Sequence, residues 1–290
     1  MAVNNVLHTN EYGLPLNTTE WLKTHHQSKM YEREQMIQDL GIEQGNFVVD
    51  AGCGPGLWTP LLIKAVGPAG RILGVDISTA SLIAAQERAV KTYYHQQVQY
   101  KLATLEQLPL HYGEADLIFS ANVSQYLPDP VATFATIGPY LKQGGQLVVK
   151  DMDLGTMHFH NVNPDLQARV FEARIRWDQE RVAYGYSFED SWIGSKLAGY
   201  LRAAGYKNVQ EKSYRIERSF PLSKNCRFYL QGIADWFVSE GNPYLSHDDK
   251  ANWLQCFSDS SSCVLDLENF AYEECEYVVS GIWTAPPAHS

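Results

Sequence analysis

The chain has 290 residues, of which 45% are apolar and 19% charged, so it can build a sizeable core and wholesale disorder is excluded. Its formal net charge of −10 disfavours nucleic-acid partners, because binding them non-specifically requires a basic surface that displaces counterions. The start shows no basic region followed by an apolar run, and no stretch approaches the ~20 apolar residues that span a bilayer, so we expect a cytoplasmic protein with no membrane partner.

Strands and helices alternate along residues 46–150. The predicted strands are Phe47–Ala51, Arg71–Val75, Val98–Ala103, Ala115–Ser120 and Gln146–Lys150. The first of these is continuously apolar, as expected when helices cover both faces of a parallel sheet. Ser78 is a predicted helix cap, and Pro130 a predicted first helical residue. Alternation at this spacing indicates right-handed crossovers and a doubly wound α/β sheet.

The alternation stops after residue 150. Helices are predicted from Asn163 and over 191–204, and two strands over 209–220 and 270–283. About fifty residues separate those two strands. Because unstructured loops of that length are uncommon, we expect a helical insertion between the strands.

The predicted organisation has four parts. They are an N-terminal helical cap over residues 1–45, a core over 46–220 with a helical insert at about 151–190, a helical lid insertion over 221–269, and a final strand of the core sheet within 270–290. The insert and the lid are expected at the carboxyl ends of the strands, where open α/β sheets bind ligands. The N-terminal segment has two interpretations, a helix over the ligand or an amphipathic helix on the sheet edge.

A glycine turn follows the first strand, and an acidic residue ends the second. The turn is Gly52-x-Gly54-x-Gly56, and the acidic residue is Asp76. Glycines let the backbone approach a ligand closely, and an acidic residue at this position accepts hydrogen bonds from ribose hydroxyls. A dinucleotide site needs Gly-x-Gly-x-x-Gly, whose third glycine is missing here, and Pro55 lacks an N–H that a phosphate would use. The pattern favours a nucleoside without phosphate, such as S-adenosylmethionine.

Four segments carry a resemblance to a known family. Val48–Gly56, Gly74–Ser78, Leu108–Pro109 and Leu141–Val149 resemble the successive motifs of class I S-adenosylmethionine-dependent methyltransferases, in particular the subgroup of ubiquinone/menaquinone-biosynthesis and small-molecule enzymes. The resemblance implies a Rossmann-like, mostly parallel, seven-stranded sheet with an antiparallel last strand. It also implies S-adenosylmethionine as cofactor and a small organic acceptor, methylated at O, N or C by in-line displacement.

The resemblance also assigns residues to the cofactor. They are Asp50, Gly52, Gly54, Gly56, Asp76, Ile77, Thr104, Leu105, Asn122 and Gln125. The glycines shape the turn under the methionine and ribose portions, and Asp50 orders that loop and reaches the amino group through water. Asp76 takes the ribose hydroxyls, or else is only a favourable charge at the helix start beside Ser78. Asn122 and Gln125 lie at the methionine end.

The adenine site departs from the family pattern. Relatives often carry an Asp-Ala pair before Glu-x-Leu-Pro, whereas this chain has Thr104 and Leu105 there. Thr104 accepts a hydrogen bond but supplies no charge. Adenine recognition is therefore expected to depend on backbone groups, with Ile77 on one face of the ring.

Acidic and histidine side chains directly follow the predicted fifth strand. Asp151 and His158 are the candidate general bases, since an unperturbed histidine titrates near operating pH. Such residues are also common in loops without a catalytic role. His158-x-His160 is a weak metal pattern without a third ligand, and five cysteines without a Cys-x-x-Cys pair indicate reduced thiols, so no metal site is expected.

Two other functions compete with a methyltransferase. An NAD(P)-dependent oxidoreductase is disfavoured by the missing third glycine and by the absence of a Tyr-x-x-x-Lys pair after the fourth strand. A non-catalytic protein that binds S-adenosylmethionine and serves as a partner subunit stays open, because an intact cofactor site does not prove turnover. The sequence does not specify the oligomeric state.

Overall fold

The computed structural model describes residues 18–183, 190–238, 242–259 and 263–284, together with the paired two-residue strands His8–Thr9 and Pro15–Leu16. The remaining parts of the predicted cap, insert, lid and final segment lie outside the described residues.

The chain divides into two compact units, each described by itself. The core unit comprises Tyr31–Asp153, Ser191–Tyr214 and Glu276–Ser290. The helical unit comprises Met1–Met30, Leu154–Asp190 and Arg215–Cys275.

Seven strands form one mixed sheet. They are β1 (Phe47–Ala51), β2 (Arg71–Asp76), β3 (Val98–Leu102), β4 (Ala115–Ala121), β5 (Leu141–Phe159), β6 (Lys207–Ser219) and β7 (Ala271–Ile282). Their order is β3-β2-β1-β4-β5-β7-β6, and β1 to β5 are parallel. Strand β7 runs antiparallel to β5, since His160 N–H donates to the Ala271 carbonyl and Trp283 N–H to that of Gly145. The predicted doubly wound sheet with an antiparallel last strand is confirmed.

Nine α-helices are present among the described residues. They are α1 (Thr19–Ser28), α2 (Met30–Asp39), α3 (Thr59–Val66), α4 (Thr79–Ala89), α5 (Pro130–Ile137), α6 (Pro164–Ala183), α7 (Leu197–Ala203), α8 (Lys224–Phe237) and α9 (His247–Phe257). The side chain of Ser78 accepts the N–H of Ser81 and caps α4 as predicted, and Asp129 caps α5 just before Pro130. None of these helices is long and apolar enough to cross a membrane.

The core unit buries the central strands on both faces. Val48 and Val49 of β1 are fully buried, which accounts for the continuous apolar run in the sequence. Phe134 of α5 is also fully buried and belongs to the main apolar cluster, and its carbonyl accepts the hydroxyl of Tyr206 at 2.9 Å. Helix packing on the sheet therefore holds the strand ends in place.

The helical unit has its own aromatic core. Trp253 of α9 is fully buried, and its ring packs near those of Phe159, Phe171, Phe237 and Phe257. Its indole N–H donates to the Ala234 carbonyl at 2.9 Å, so the polar atom is satisfied inside the apolar cluster. The predicted segment 221–269 thus contains two packed helices, α8 and α9.

The fifth strand is longer than the sequence suggests. The prediction ends it at Lys150, before a run of charged and polar residues, whereas β5 continues to Phe159. Asp151 and His158 therefore lie inside a strand and not in the loop that was expected. The strand can continue because Lys150, fully buried, is paired with Glu276 of β7. The crossover helix predicted over 191–204 is likewise shorter, a 3₁₀ turn at Gly194–Lys196 followed by α7.

Phe134→Ala is expected to lower the free energy of unfolding by about 3–5 kcal/mol, because it leaves a cavity in the main apolar cluster. Tyr93→Ala is the matched control, since this aromatic side chain is 83% exposed and its loss is expected to cost under ~1 kcal/mol. Denaturant titration measures both values. Equal losses in the two variants would contradict the assigned core.

Candidate active site

The glycine turn after β1 adopts backbone angles that only glycine accepts readily. Gly52, Gly54 and Gly56 have φ of 78°, 51° and 68°. A Cβ on Gly52 would lie 2.3 Å from a methyl carbon of Val123, and one on Gly56 would lie 2.7 Å from the hydroxyl oxygen of Tyr100. A Cβ on Gly54 would meet nothing within 4 Å. The outer two glycines therefore allow close packing, while the middle one borders open space that a ligand can use.

The Asp76 carboxylate at the end of β2 closes this turn. Its Oδ2 accepts the Gly54 N–H at 2.8 Å, and its Oδ1 accepts the Ser78 N–H at 2.8 Å. Burial raises the pKa of Asp76, and the hydrogen bonds from Ser78 and Gly54 oppose that shift. An ionised carboxylate has about four acceptor positions, so each oxygen retains capacity for a ligand hydroxyl. Asp76 can therefore stabilise the start of α4 beside Ser78 and also bind ribose hydroxyls.

Asp50 at the end of β1 has an oxygen without a partner. The residue is only 1% exposed, and its Oδ2 has no hydrogen-bond donor among the described residues. Burial, reinforced by the nearby Asp76 carboxylate, raises the pKa of Asp50 to about 8. A buried acceptor is normally satisfied, so this one points to a donor or a cation supplied by a ligand.

The residues assigned to adenine differ in accessibility. Ile77 is partly buried after β2, and Thr104 is exposed just before a 3₁₀ turn at Leu105–Gln107. Leu105 is buried and packs in the main apolar cluster. Thr104 is thus open to a ligand, whereas the Leu105 side chain mainly supports the turn.

The residues after β4 form a second group of polar atoms. Asn122 has φ of 59°, and its N–H donates to the Lys150 carbonyl at 2.7 Å. Gln125 is buried; its side-chain nitrogen lies 3.4 Å from the Asn122 carbonyl, and its backbone N–H donates to Asp151 at 3.3 Å. The structure therefore brings Asn122, Gln125 and Asp151 together. Val123, which packs on Gly52, joins this group to the glycine turn.

A buried ion pair that the sequence analysis missed supports this group. Lys150 Nζ lies 2.7 Å from Glu276 Oε1, and both side chains are 0% exposed. The same ammonium donates to Asn122 Oδ1 at 2.6 Å. Burial raises the pKa of Asp151 to about 7, although Lys150 and the N–H groups of Met152 and Gln125 act to lower it. A lysine ending the apolar run Leu147 to Val149 was the available sequence signal.

His158, the other candidate base, belongs to the helical unit. Its Nδ1 lies 3.0 Å from the side-chain nitrogen of Gln167, and its ring centroid lies 4.4 Å from that of His160. His158 is not one of the residues that donate hydrogen bonds to Asp151. Among the described residues, no three His, Cys, Asp or Glu side chains are grouped so as to bind a metal ion.

The N-terminal part of the core unit contacts Trp58, in the segment that follows the glycine turn. The Arg33 guanidinium of α2 lies 4.9 Å from the centroid of the Trp58 ring. At the end of α2, Asp39 accepts hydrogen bonds from Lys212 at 2.6 Å and Tyr214 at 2.7 Å, both on the edge strand β6. Helix α2 therefore packs against the sheet edge and also against the segment after the turn.

Comparison with known proteins agrees with this geometry. A family model described as a methyltransferase domain matches residues 42–205. A demethylmenaquinone methyltransferase of Staphylococcus carnosus is 26% identical over 194 residues, 63% of this chain and 76% of that protein. An uncharacterised 37.1 kDa protein of transposon TN4556 from Streptomyces fradiae is 30% identical over 171 residues, 59% of this chain but only 46% of its own length.

Solved structures share the fold at low sequence identity. The YcgJ protein of Bacillus subtilis superposes with a TM-score of 0.56 at 14% identity, covering 89% of this chain and 100% of that one. A SAM-dependent methyltransferase of Aquifex aeolicus gives 0.51 at 14% identity, covering 92% and 98%. Because the family model spans more than half of the residues, and includes the glycine turn, Asp76 and Asn122, the chain belongs to the methyltransferase family, as a class I member whose cofactor is S-adenosylmethionine.

Proposed function

We propose that this protein transfers a methyl group from S-adenosylmethionine to a small organic acceptor, at an oxygen, nitrogen or carbon atom. The observation that carries the proposal is the unpartnered, buried Asp50 oxygen at the end of β1. It lies in the segment whose glycine turn is held by Asp76. A buried acceptor in this position suits the α-amino group of the cofactor, directly or through one water.

The other residues of the site suit the remaining parts of the cofactor. Asp76 keeps acceptor capacity for the two ribose hydroxyls. The open space at Gly54 leaves room for the ligand, and Ile77 offers an apolar surface to adenine. Exposed Thr104 accepts or donates one hydrogen bond at the adenine end. The proposed contacts of the methionine end are Asn122 and Gln125.

When bound, the cofactor supplies a methyl group already activated by a positively charged sulfur. The main task of the protein is then to align the acceptor atom with the bond that breaks, which in well-aligned systems contributes roughly 7–11 kcal/mol. A base is needed only when the acceptor must lose a proton. The proposed bases are His158 and Asp151, whose pKa is about 7. Of the two, Asp151 accepts the N–H of Gln125, a residue proposed to contact the cofactor.

The identity of the acceptor class rests on family membership and charge. The Staphylococcus relatives are named as enzymes that methylate demethylmenaquinone, a small molecule. The net charge of −10 supports a small acceptor over a nucleic acid. We propose further that the segments 151–190 and 221–269 select the acceptor, and the second of them lies outside residues 42–205, the region that the family model matches.

We expect S-adenosylhomocysteine to bind the purified protein with micromolar or tighter affinity in calorimetry, and NADH not to bind. Labelled methyl transfer from S-adenosylmethionine into a metabolite extract is expected to yield a labelled small molecule. NADH binding without S-adenosylhomocysteine binding would support an oxidoreductase and overturn the proposal. Cofactor binding without labelling of any molecule in the extract would support the alternative that the protein is a non-catalytic partner subunit.

Asp76→Ala is expected to weaken S-adenosylhomocysteine binding at least tenfold, about 1.4 kcal/mol, because the ribose hydroxyls and the Gly54 N–H both lose an acceptor. The matched control is Asp129→Ala, which removes the exposed cap of α5 and is expected to cost about 1 kcal/mol of stability without changing the affinity. Calorimetry gives the affinities. Unchanged affinity in a folded Asp76 variant would place the ribose elsewhere.

The affinity for S-adenosylhomocysteine is expected to rise with pH from about 6 to about 8. The Asp50 pKa of about 8 means that this carboxyl carries a proton in the free protein at neutral pH, and a bound ammonium favours its ionised form. The proton must therefore leave Asp50 when the ligand binds. The affinity then rises up to tenfold per pH unit below the pKa and is constant above it. The titratable groups around Asp50 are Asp76, Cys53 and Tyr100, which carry no positive charge.

Asp50→Asn is expected to flatten this pH dependence, and the exposed control Asp129→Asn to preserve it. Calorimetry at four pH values between 6 and 9 measures both. A wild-type affinity that is constant over this range, or one that falls, would contradict the assigned role of Asp50.

A further inference from the structure

The buried lysine of the core unit determines which way the Asn122 amide faces. Lys150 Nζ contacts Asn122 Oδ1 at 2.6 Å and Glu276 Oε1 at 2.7 Å, and the lysine and glutamate side chains are fully buried. An ammonium group has only donors, so it can face the amide oxygen but not the amide nitrogen. The orientation of the Asn122 side chain is therefore set by chemistry, and its NH₂ group points away from the ion pair.

The main chain of Asn122 is held as firmly as its side chain. Its N–H donates to the Lys150 carbonyl at 2.7 Å, and its left-handed φ of 59° is one that asparagine tolerates better than most residues. The residue is partly exposed. With its Oδ1 turned toward Lys150, its Nδ2 lies on the opposite side of the amide. The end of β4 thus offers two N–H donors in a fixed direction, next to Val123, which touches the glycine turn.

The donors at Asn122 complement the acceptor at Asp50. Asp50 has an unpartnered carboxylate oxygen, which suits an ammonium group. The Asn122 NH₂ can bind only an acceptor, which excludes an ammonium group and suits a carboxylate. An amino-acid moiety carries both of these groups on one carbon atom. The Asp50 oxygen and the Asn122 NH₂ group, both near the glycine turn, therefore suit the positive and the negative group of such a zwitterion.

We propose that Lys150, together with Glu276, is a positioning residue that fixes the Asn122 amide so that its N–H donors bind the carboxylate of the cofactor's methionine portion. This inference rests on the proposed function and specifies how the methionine end is recognised. The ion pair touches the ligand only through Asn122. Burying the ion pair costs desolvation energy, which two apolar side chains of the same size would avoid. Apolar side chains, however, could not orient the Asn122 amide.

The test compares two probes that differ only in the amino-acid portion. S-adenosylhomocysteine carries it, and 5′-methylthioadenosine has the same nucleoside and sulfur without it. Calorimetry gives both dissociation constants, and their ratio reports recognition of the amino-acid portion alone. A general structural defect would weaken both probes equally and leave the ratio unchanged.

Asn122→Asp keeps the size and the tolerance of positive φ but replaces the donor nitrogen with an acceptor oxygen. We expect S-adenosylhomocysteine to bind at least tenfold more weakly and 5′-methylthioadenosine to change less than twofold. Asn208→Asp is the matched control, since Asn208 is exposed and also has positive φ, 49°. It is expected to change neither affinity. Equal changes for both probes in the Asn122 variant, or none, would overturn the proposal.

The role of Lys150 is tested by removing both partners, because removing one would leave a buried charge unpaired. In Lys150→Met with Glu276→Leu the amide is free to rotate, and we expect the preference for S-adenosylhomocysteine over 5′-methylthioadenosine to fall three- to tenfold. Lys150→Gln with Glu276→Gln is the alternative pair if the first does not fold, and the same fall is expected. An unchanged preference in a folded double variant would overturn the positioning role.

The proposed function and this inference fail in different ways. A wild-type protein that does not bind S-adenosylhomocysteine overturns the proposed function, and the inference with it. A wild-type protein that binds S-adenosylhomocysteine no more tightly than 5′-methylthioadenosine overturns the inference alone, because the nucleoside site is then intact and the carboxylate unrecognised.

Discussion

The hydrogen bond from the Gly54 N–H to the Asp76 carboxylate is the contact on which the candidate site depends. It joins the turn after β1 to the end of β2, two neighbouring parallel strands whose carboxyl ends lie at one edge of the sheet. With Asp76 also accepting the Ser78 N–H, the same carboxylate orders the start of α4. The three glycines of the turn have positive φ angles, which glycine adopts at no steric cost.

Charge in this part of the core unit is dominated by carboxylates. Asp50 and Asp76 lie at the ends of β1 and β2, whereas Asp151 and Glu276 lie within β5 and β7, and the buried Lys150 pairs with Glu276. Burial raises the pKa values of Asp50, Asp76 and Asp151, because a carboxylate loses its hydration when it is buried. A site of this kind favours a cationic ligand, and a sulfonium cofactor with an α-amino group carries positive charge in two places.

The sheet and the glycine turn were predictable because their signals are local. The apolar run of β1, the capping Ser78 and the proline that opens α5 each act within a few residues, and the structure confirms all three. The length of β5 was not predictable in this way. A lysine and an aspartate at positions 150 and 151 normally end a buried strand, and the glutamate that neutralises the lysine lies on β7, far away in sequence.

The order of the motifs was enough to establish the class of the fold and the kind of cofactor, since glycine spacing and the acidic residue after β2 reflect the covalent chemistry of the ligand. The orientation of polar groups was decided by tertiary structure alone. That Asn122 turns its amide oxygen toward the buried ion pair depends on a lysine one strand away and a glutamate from the antiparallel strand. The same holds for the unpartnered oxygen of Asp50, because the burial that leaves it without a donor arises only when the strands and helices pack around it.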